Sequence, residues 1–142
     1  MEITANATQT VSAGSNVLFT STPVKGSCSI LYTDGSGLVA LRGLTNQCRA
    51  LFKVNFHCNI GVPSGGSPAA IQLSVANNGE IVNATTMISV PAAAGTLQNV
   101  GTTTYIIVPK GATSQISIKN TSSVPISVAN ANLIVERVAW YG

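Results

Sequence analysis

An alternation of apolar and polar residues over residues 48–60 (CRALFKVNFHCNI) is the feature that most constrains the fold of this chain. Successive side chains of a β-strand point to opposite faces, so this period predicts one long strand with one buried and one mostly solvated face. A helix would scatter Phe52, Val54 and Phe56 around its cylinder. The face that we predict to be buried comprises Cys48, Ala50, Phe52, Val54, Phe56, Cys58 and Ile60.

Shorter apolar and β-branched segments recur along the rest of the chain, separated by Gly, Pro, Asn and Asp. Asp-Gly at residues 34–35 and Asn-Gly at residues 78–79 predict hairpin turns, because these residues tolerate positive φ. No segment sustains a helical period over three turns. We therefore predict one domain, residues 1–142, folded as an all-β antiparallel jelly-roll sandwich of eight to ten strands, with residues 1–11 as an extended arm. The predicted strands are residues 16–20, 28–32, 38–42, 48–60, 70–76, 81–90, 102–108, 115–119 and 132–138.

Charge is scarce: 8% of residues are charged, against about 25% in ordinary soluble domains. No uncharged apolar run approaches the roughly 18 residues of a membrane span, so we expect no membrane partner. The seven Lys and Arg residues are scattered and form no basic run, which argues against a nucleic-acid partner. So little charge favours an oligomer in which part of the surface is hidden.

The first residues, MEITANATQTVSAG, lack the basic and apolar regions of a signal peptide, so export is not expected. Cys48 and Cys58 lie about 33 Å apart on one strand and cannot pair with each other. We expect all three cysteines to be reduced, buried and inert. The alternative is a disulfide between Cys28 and one of the other two.

The sequence contains too few histidine, cysteine and carboxylate side chains to predict a catalytic or metal site. His57 is the only histidine, the cysteines do not match a zinc spacing, and no nucleophile and acid are placed near the histidine by the sequence. Only four carboxylates occur, whereas calcium takes six to eight oxygen ligands. The alternative is a calcium site formed by a ring of Glu136 or Asp34 side chains, repeated around an oligomer axis. We predict no catalytic, cofactor or metal site, and no enzyme.

Several segments, taken in order, match one known pattern. They are NVLFT, SCSILYTDGSGLVALRG, CRALFKVNF, IQLSVANNGE, YIIVPKGATSQISIKNTS and ANLIVERVA. Over about residues 10–139 this set resembles the globular heads of the tumour-necrosis-factor and complement-head superfamily. It is most similar to the small bacteriophage and spore-surface members.

The resemblance implies a ten-stranded jelly roll that assembles as a homotrimer, with Tyr105, Ile107 and part of the strand around Ile134 near the threefold axis. This chain departs from the family in lacking a collagen-like stalk and in having few acidic residues for calcium.

The predicted strands 102–108 and 132–138 are apolar on both faces, so one set of side chains cannot enter the core. We predict that Tyr105, Ile107, Ile134 and Val138 form the oligomer interface. The aromatic pair Trp140 and Tyr141 is predicted to contact a neighbouring subunit or a larger assembly, the alternative being packing onto its own subunit.

The leading functional hypothesis is a non-enzymatic virion protein made in the host cytoplasm. It would be a trimeric capsid decoration protein or head-fibre head of a bacteriophage, in contact with other virion proteins such as the major capsid protein. The alternative is a receptor- or carbohydrate-binding head of a tail fibre or spore-surface protein, with ligand contacts in the loops at residues 61–68 and 91–96. Those loops contain no aromatic residue on which a sugar could stack.

Overall fold

A computed structural model describes residues 1–139 and arranges them in two antiparallel six-stranded sheets. The β-strands are β1 Glu2–Ala5, β2 Gln9–Val11, β3 Ser21–Val24, β4 Ile30–Tyr32, β5 Val39–Arg42, β6 Arg49–Gly61, β7 Ile71–Asn77, β8 Glu80–Ile81, β9 Met87–Ser89, β10 Gln98–Pro109, β11 Thr113–Asn120 and β12 Ile126–Val138. A 3-10 turn, Asn83–Thr85, separates β8 from β9.

The chain crosses repeatedly between the two sheets, as it does in a jelly roll. Sheet A has the order β10-β6-β12-β1-β3, with β2 also pairing with β12. Sheet B has the order β4-β5-β11-β7-β8, with β9 also pairing with β7. The predicted all-β jelly-roll sandwich is confirmed, with short additional strands beyond the eight to ten expected.

Strand β6 lies between β10 and β12 in sheet A, and it begins and ends within one residue of the predicted strand. Phe52 and Phe56 on its inner face are fully buried, and Phe56 makes an edge contact with Phe19 across the core, with ring centroids 6.2 Å apart. Burial of each such ring stabilises the fold by roughly 1.5–3 kcal/mol. The predicted inner face is confirmed at every position except Cys48, which is exposed.

The expectation that all three thiols are buried is wrong for Cys28 and Cys48. Both are exposed, whereas Cys58 is buried, and all three are free. Cys48 stands just before the first residue of β6, where the chain has not yet entered the sheet, and Cys28 lies in the turn before β4. Burial in the apolar core raises the pKa of the Cys58 thiol to about 12.

Residues 1–11 contain the two short strands β1 and β2 and are not a free arm. Both β1 and β2 pair with β12, Ile3 lying opposite Leu133 and Val11 opposite Ile126. Ile3 and Val11 are buried in the core. The segment is therefore part of sheet A, because its alternate apolar residues need the sheet to cover them.

The predicted strand at residues 16–20 is a crossing between the sheets instead. The backbone N–H of Val17 donates to Ile118 in sheet B at 2.8 Å, and the N–H of Thr20 donates to Thr4 in sheet A at 3.0 Å. Val17 and Phe19 are both buried. The alternation in the sequence therefore reflects burial, although the segment does not follow one partner strand.

Strand β12 begins six residues before the predicted start at residue 132. A β-bulge interrupts its pairing with β6 between Ala129 and Asn132, and Asn130 has a φ of 53°. The extra residue shifts the alternation by one position, so the first half of the strand does not continue the pattern of the second.

Candidate functional site

The outer face of sheet A carries the residues that the sequence predicts for an oligomer interface. Tyr105 is 58% exposed, Ile107 is 48% exposed and Ile134 is 38% exposed, while Val138 is half-buried. The strand register aligns Ile107, Leu51 and Val138 in one row across β10, β6 and β12. We call the set Leu51, Tyr105, Ile107, Ile134 and Val138 the apolar patch.

The residues that alternate with the apolar patch enter the core. Ile106 and Val108 of β10 and Leu133 and Val135 of β12 are buried. These strands therefore have one apolar set inside and a second apolar set exposed on the outer face, as the sequence predicts. Lys53 lies opposite both Tyr105 and Glu136, so a row containing two charges crosses the patch.

The other half of the same outer face is polar and rich in amides. Asn59 donates from Nδ2 to Asn130 Oδ1 at 3.1 Å, and Asn99 donates from Nδ2 to Asn59 Oδ1 at 3.2 Å. These bonds link β10, β6 and β12 side by side. His57 is exposed on this half, opposite Asn132 in the register, which agrees with a solvated histidine.

Strand β10 is the long edge of sheet A. It has 12 residues, whereas the edge strands β3, β4 and β8 have 4, 3 and 2 residues. Edge strands are usually protected by Lys, Pro or short length. No Lys occurs in β10, and its Pro109 is the last residue. The outer edge of β10 therefore offers unpaired backbone groups next to Tyr105 and Ile107.

The two loops that the sequence proposes for ligand contacts lie side by side. The N–H of Gly95 donates to the carbonyl of Val62 at 2.9 Å. A Cβ on Gly61 would lie 2.2 Å from the carbonyl oxygen of Thr96, so only glycine allows this approach. Loops at residues 61–68 and 91–96 thus form one surface.

A cavity of about 600 Å³ that the sequence does not reveal lies where β6 begins and β12 ends. Its lining includes Arg49 and Arg137, which are far apart in the sequence. No sequence motif joins the two arginines. Only the pairing of β6 with β12 brings them to one end of the sheet.

Residues 1–139 contain no group of three His, Cys, Asp or Glu side chains that could hold a metal ion. Asp34, one candidate for a carboxylate ring, accepts a hydrogen bond from the Thr22 hydroxyl at 2.6 Å. Within the same residues no helix has the length and apolar character needed to cross a membrane. Trp140 and Tyr141, predicted to contact an assembly, lie outside the described residues.

No protein-family model matches the sequence, and a search of curated proteins also finds no match. Among solved structures, the globular domain of the zebrafish complement 1qA protein superposes with a TM-score of 0.63 at 10% identity, covering 94% of this chain and 93% of that one. This chain has the jelly-roll fold of a complement globular head. The fold implied by the sequence resemblance is therefore confirmed.

A family 35 carbohydrate-binding module from Clostridium thermocellum is also similar in part. The two sequences are 17% identical, and the match covers 94% of this chain and 98% of the module. The module superposes with a TM-score of 0.39. That score is too low to bear on the fold or the function.

Proposed function

We propose that this chain is a non-enzymatic head domain that assembles as a homotrimer through the apolar patch. The observation that carries the proposal is the exposure of β10. Its side chains Tyr105 and Ile107 are exposed on the outer face of the sheet, and its backbone forms the long edge of the sheet. Soluble monomers rarely leave a large group of apolar side chains on one face open to water. Burying each of these side chains would contribute roughly 1.5–3 kcal/mol.

A second exposed apolar set supports a closed ring. Ile88, Val90 and Leu97 are 63%, 68% and 43% exposed, and they lie where β9 leads into β10. Ile88 is on β9 of sheet B, whereas the apolar patch is on sheet A. Two different surfaces on one subunit suit a head-to-tail contact, which closes into a ring when the rotation allows it.

The trimer is tested by light scattering coupled to size exclusion at micromolar concentration. We expect a single species with three times the chain mass of 14.5 kDa that persists on dilution, because large apolar interfaces are typically obligate. A folded, soluble monomer would refute the proposal.

We further propose that the trimer serves on a bacteriophage particle, as a capsid decoration protein or the head of a head fibre, bound to other virion proteins such as the major capsid protein. Support comes from the resemblance of the ordered sequence segments to small phage heads and from the low charge, 8% of residues. Immunogold electron microscopy of particles checks this role. Capsid labelling is expected, and a protein absent from every particle would exclude it.

A second candidate function is binding of a receptor or carbohydrate by the joined loops at residues 61–68 and 91–96. The hydrogen bond between Gly95 and Val62 supports it, because it holds both loops in one surface. A glycan array tests this alternative. Binding that is lost when Ser64 and Thr96 are replaced by Ala would favour it over a purely structural role.

A further inference from the structure

We propose that the cavity between Arg49 and Arg137 binds an oxyanion, either a carboxylate or a phosphate group. The cavity lies at the end of the sandwich where β6 begins and β12 ends, beside the loop of residues 44–47. Its volume of about 600 Å³ falls in the range typical of small-ligand sites, about 300–1,000 Å³.

Arg137 is held in place before any ligand arrives. Its Nη1 donates to the carbonyl oxygen of Leu44 at 2.9 Å, and its guanidinium carbon lies 5.7 Å from the centroid of the Phe52 ring. A guanidinium has five N–H donors in a fixed plane. The bond to Leu44 leaves Arg137 with further donors in a fixed orientation, which lowers the entropy lost on binding.

The loop opposite the arginines is also fixed. The N–H of Gly43 donates to Ala112 at 2.8 Å, and the N–H of Lys110 donates to Cys48 at 2.9 Å. These two bonds tie both ends of the loop to the β10–β11 turn. Thr45, Asn46 and Gln47 between them line the cavity with polar side chains, which suits a ligand that carries hydroxyl or amide groups beside its charge.

The charge around the cavity favours an anion. None of the ten described lining residues is Asp or Glu. Arg42 ends β5 and Lys110 directly follows β10, so two further cations stand at this end of the sandwich. The adjacent carboxylate, Glu136, shares the outer face of sheet A with the lining residue Val138, and Lys53 lies opposite it in the register.

Arginine matches the chemistry of an oxyanion better than lysine does. Its planar fork makes two parallel hydrogen bonds to a carboxylate or phosphate, and charge-assisted bonds are about twice as strong as neutral ones. The site does not require Arg49 to be without other contacts, since its five donors can serve more than one acceptor. Leu51 and Val138 belong to both the cavity and the apolar patch, so the cavity borders the proposed trimer interface.

Isothermal titration calorimetry on the full chain at constant ionic strength tests the site with two probes. Inorganic phosphate represents a free small anion, and a short capped peptide containing two glutamates represents an acidic side chain of a protein partner. We expect at least one probe to bind with a dissociation constant of about 1 mM or tighter. Binding of phosphate alone indicates a small-molecule ligand, and binding of the peptide alone indicates a protein carboxylate.

Matched variants locate the binding. Arg49→Gln is expected to weaken it about tenfold or more, and Arg137→Lys to weaken it severalfold while keeping the charge and the fold, because the fork is lost. Lys119→Gln is the control, because it also removes one positive charge. Strand β11 approaches the cavity at Thr113, which pairs with Arg42, and Lys119 lies six residues further along that strand. This variant should leave binding unchanged. Binding of neither probe, equal affinity in Arg49→Gln, or an equal loss in Lys119→Gln would each overturn the proposal.

Discussion

The guanidinium of Arg137 lies over the ring of Phe52, 5.7 Å from its centroid, and the two residues face each other across the β12–β6 pairing. Phe52 is fully buried, whereas Arg137 is exposed. The cation and its aliphatic stem therefore close the end of the core at which β6 begins. Such a contact typically contributes about 0.5–1 kcal/mol at an exposed site.

Phe52→Ala should lower the free energy of unfolding by about 3–5 kcal/mol, because it leaves a cavity in the core and removes the ring beneath Arg137. Asn55→Ala, on the outer face of the same strand, should change it by less than about 0.5 kcal/mol. Denaturant titrations of the two variants provide the measurement. Comparable losses from both would contradict the assignment of faces.

The thiols should react in two classes. Exposed Cys28 and Cys48 are expected to react with a thiol reagent in the folded protein, and Cys58 only after unfolding. Mass spectrometry after short labelling should find two labels under native conditions and three in denaturant. A third label appearing at the native rate would show that Cys58 is accessible.

Alkaline pH should weaken the fold through Cys58. Burial raises its pKa to about 12, so the folded state keeps the thiol neutral while the unfolded chain ionises from about pH 9. The stabilisation is complete below pH 9 and is lost progressively between pH 9 and 12, by up to about 1.4 kcal/mol per pH unit. Unfolding measured at pH 8.5 and 10.5 should show a smaller decrease for Cys58→Ala, and equal slopes would contradict this prediction.

Ile107→Asp should break the proposed trimer into monomers or aggregates, because it places a charge in the apolar patch. Leu31→Asp is a matched control in sheet B: Leu31 is 46% exposed, close to the 48% of Ile107. The control should remain trimeric in light scattering. A trimer that survives Ile107→Asp but not Leu31→Asp would move the interface to the other sheet.

Gly43→Ala should destabilise the loop that lines the arginine cavity. A Cβ at this position would lie 2.1 Å from the carbonyl oxygen of Pro109, which is backbone and cannot rotate away. At Gly101, also on ordinary backbone, the nearest atom would be 3.2 Å away. Thermal melts should show a clearly larger loss for Gly43→Ala than for Gly101→Ala.

The sequence predicts best where one physical period holds over many residues. The alternation in β6 fixes its faces, because every second residue meets the same environment. The sequence does not predict the edge strand β3, because it contains Pro23 and proline usually interrupts a strand. An edge strand tolerates proline, since its outer side needs no backbone N–H donor. The first half of β12 is not predicted for a different reason: the bulge at Asn130 shifts the alternation of buried and exposed residues by one position.

Contacts between distant segments lie beyond such patterns. The alternation within β10 shows only that one of its two apolar sets must lie outside the core, and the family resemblance is what singles out Tyr105 and Ile107. Bringing Arg49 beside Arg137 depends on which strands pair and in what register, and no local period carries that information. The exposure of Cys48 likewise depends on where the loop leaves the sheet.

The position of β12 in sheet A has a consequence for biosynthesis. It lies between β6 and β1, yet it is the last strand of the described chain, whereas every strand of sheet B precedes residue 121. On the ribosome, sheet B can form first, while β10–β6 and β1–β3 wait as separate halves for the strand that joins them. Ile134 and Val138 of the apolar patch emerge with that strand. The apolar patch is therefore complete only after residue 138 has been synthesised.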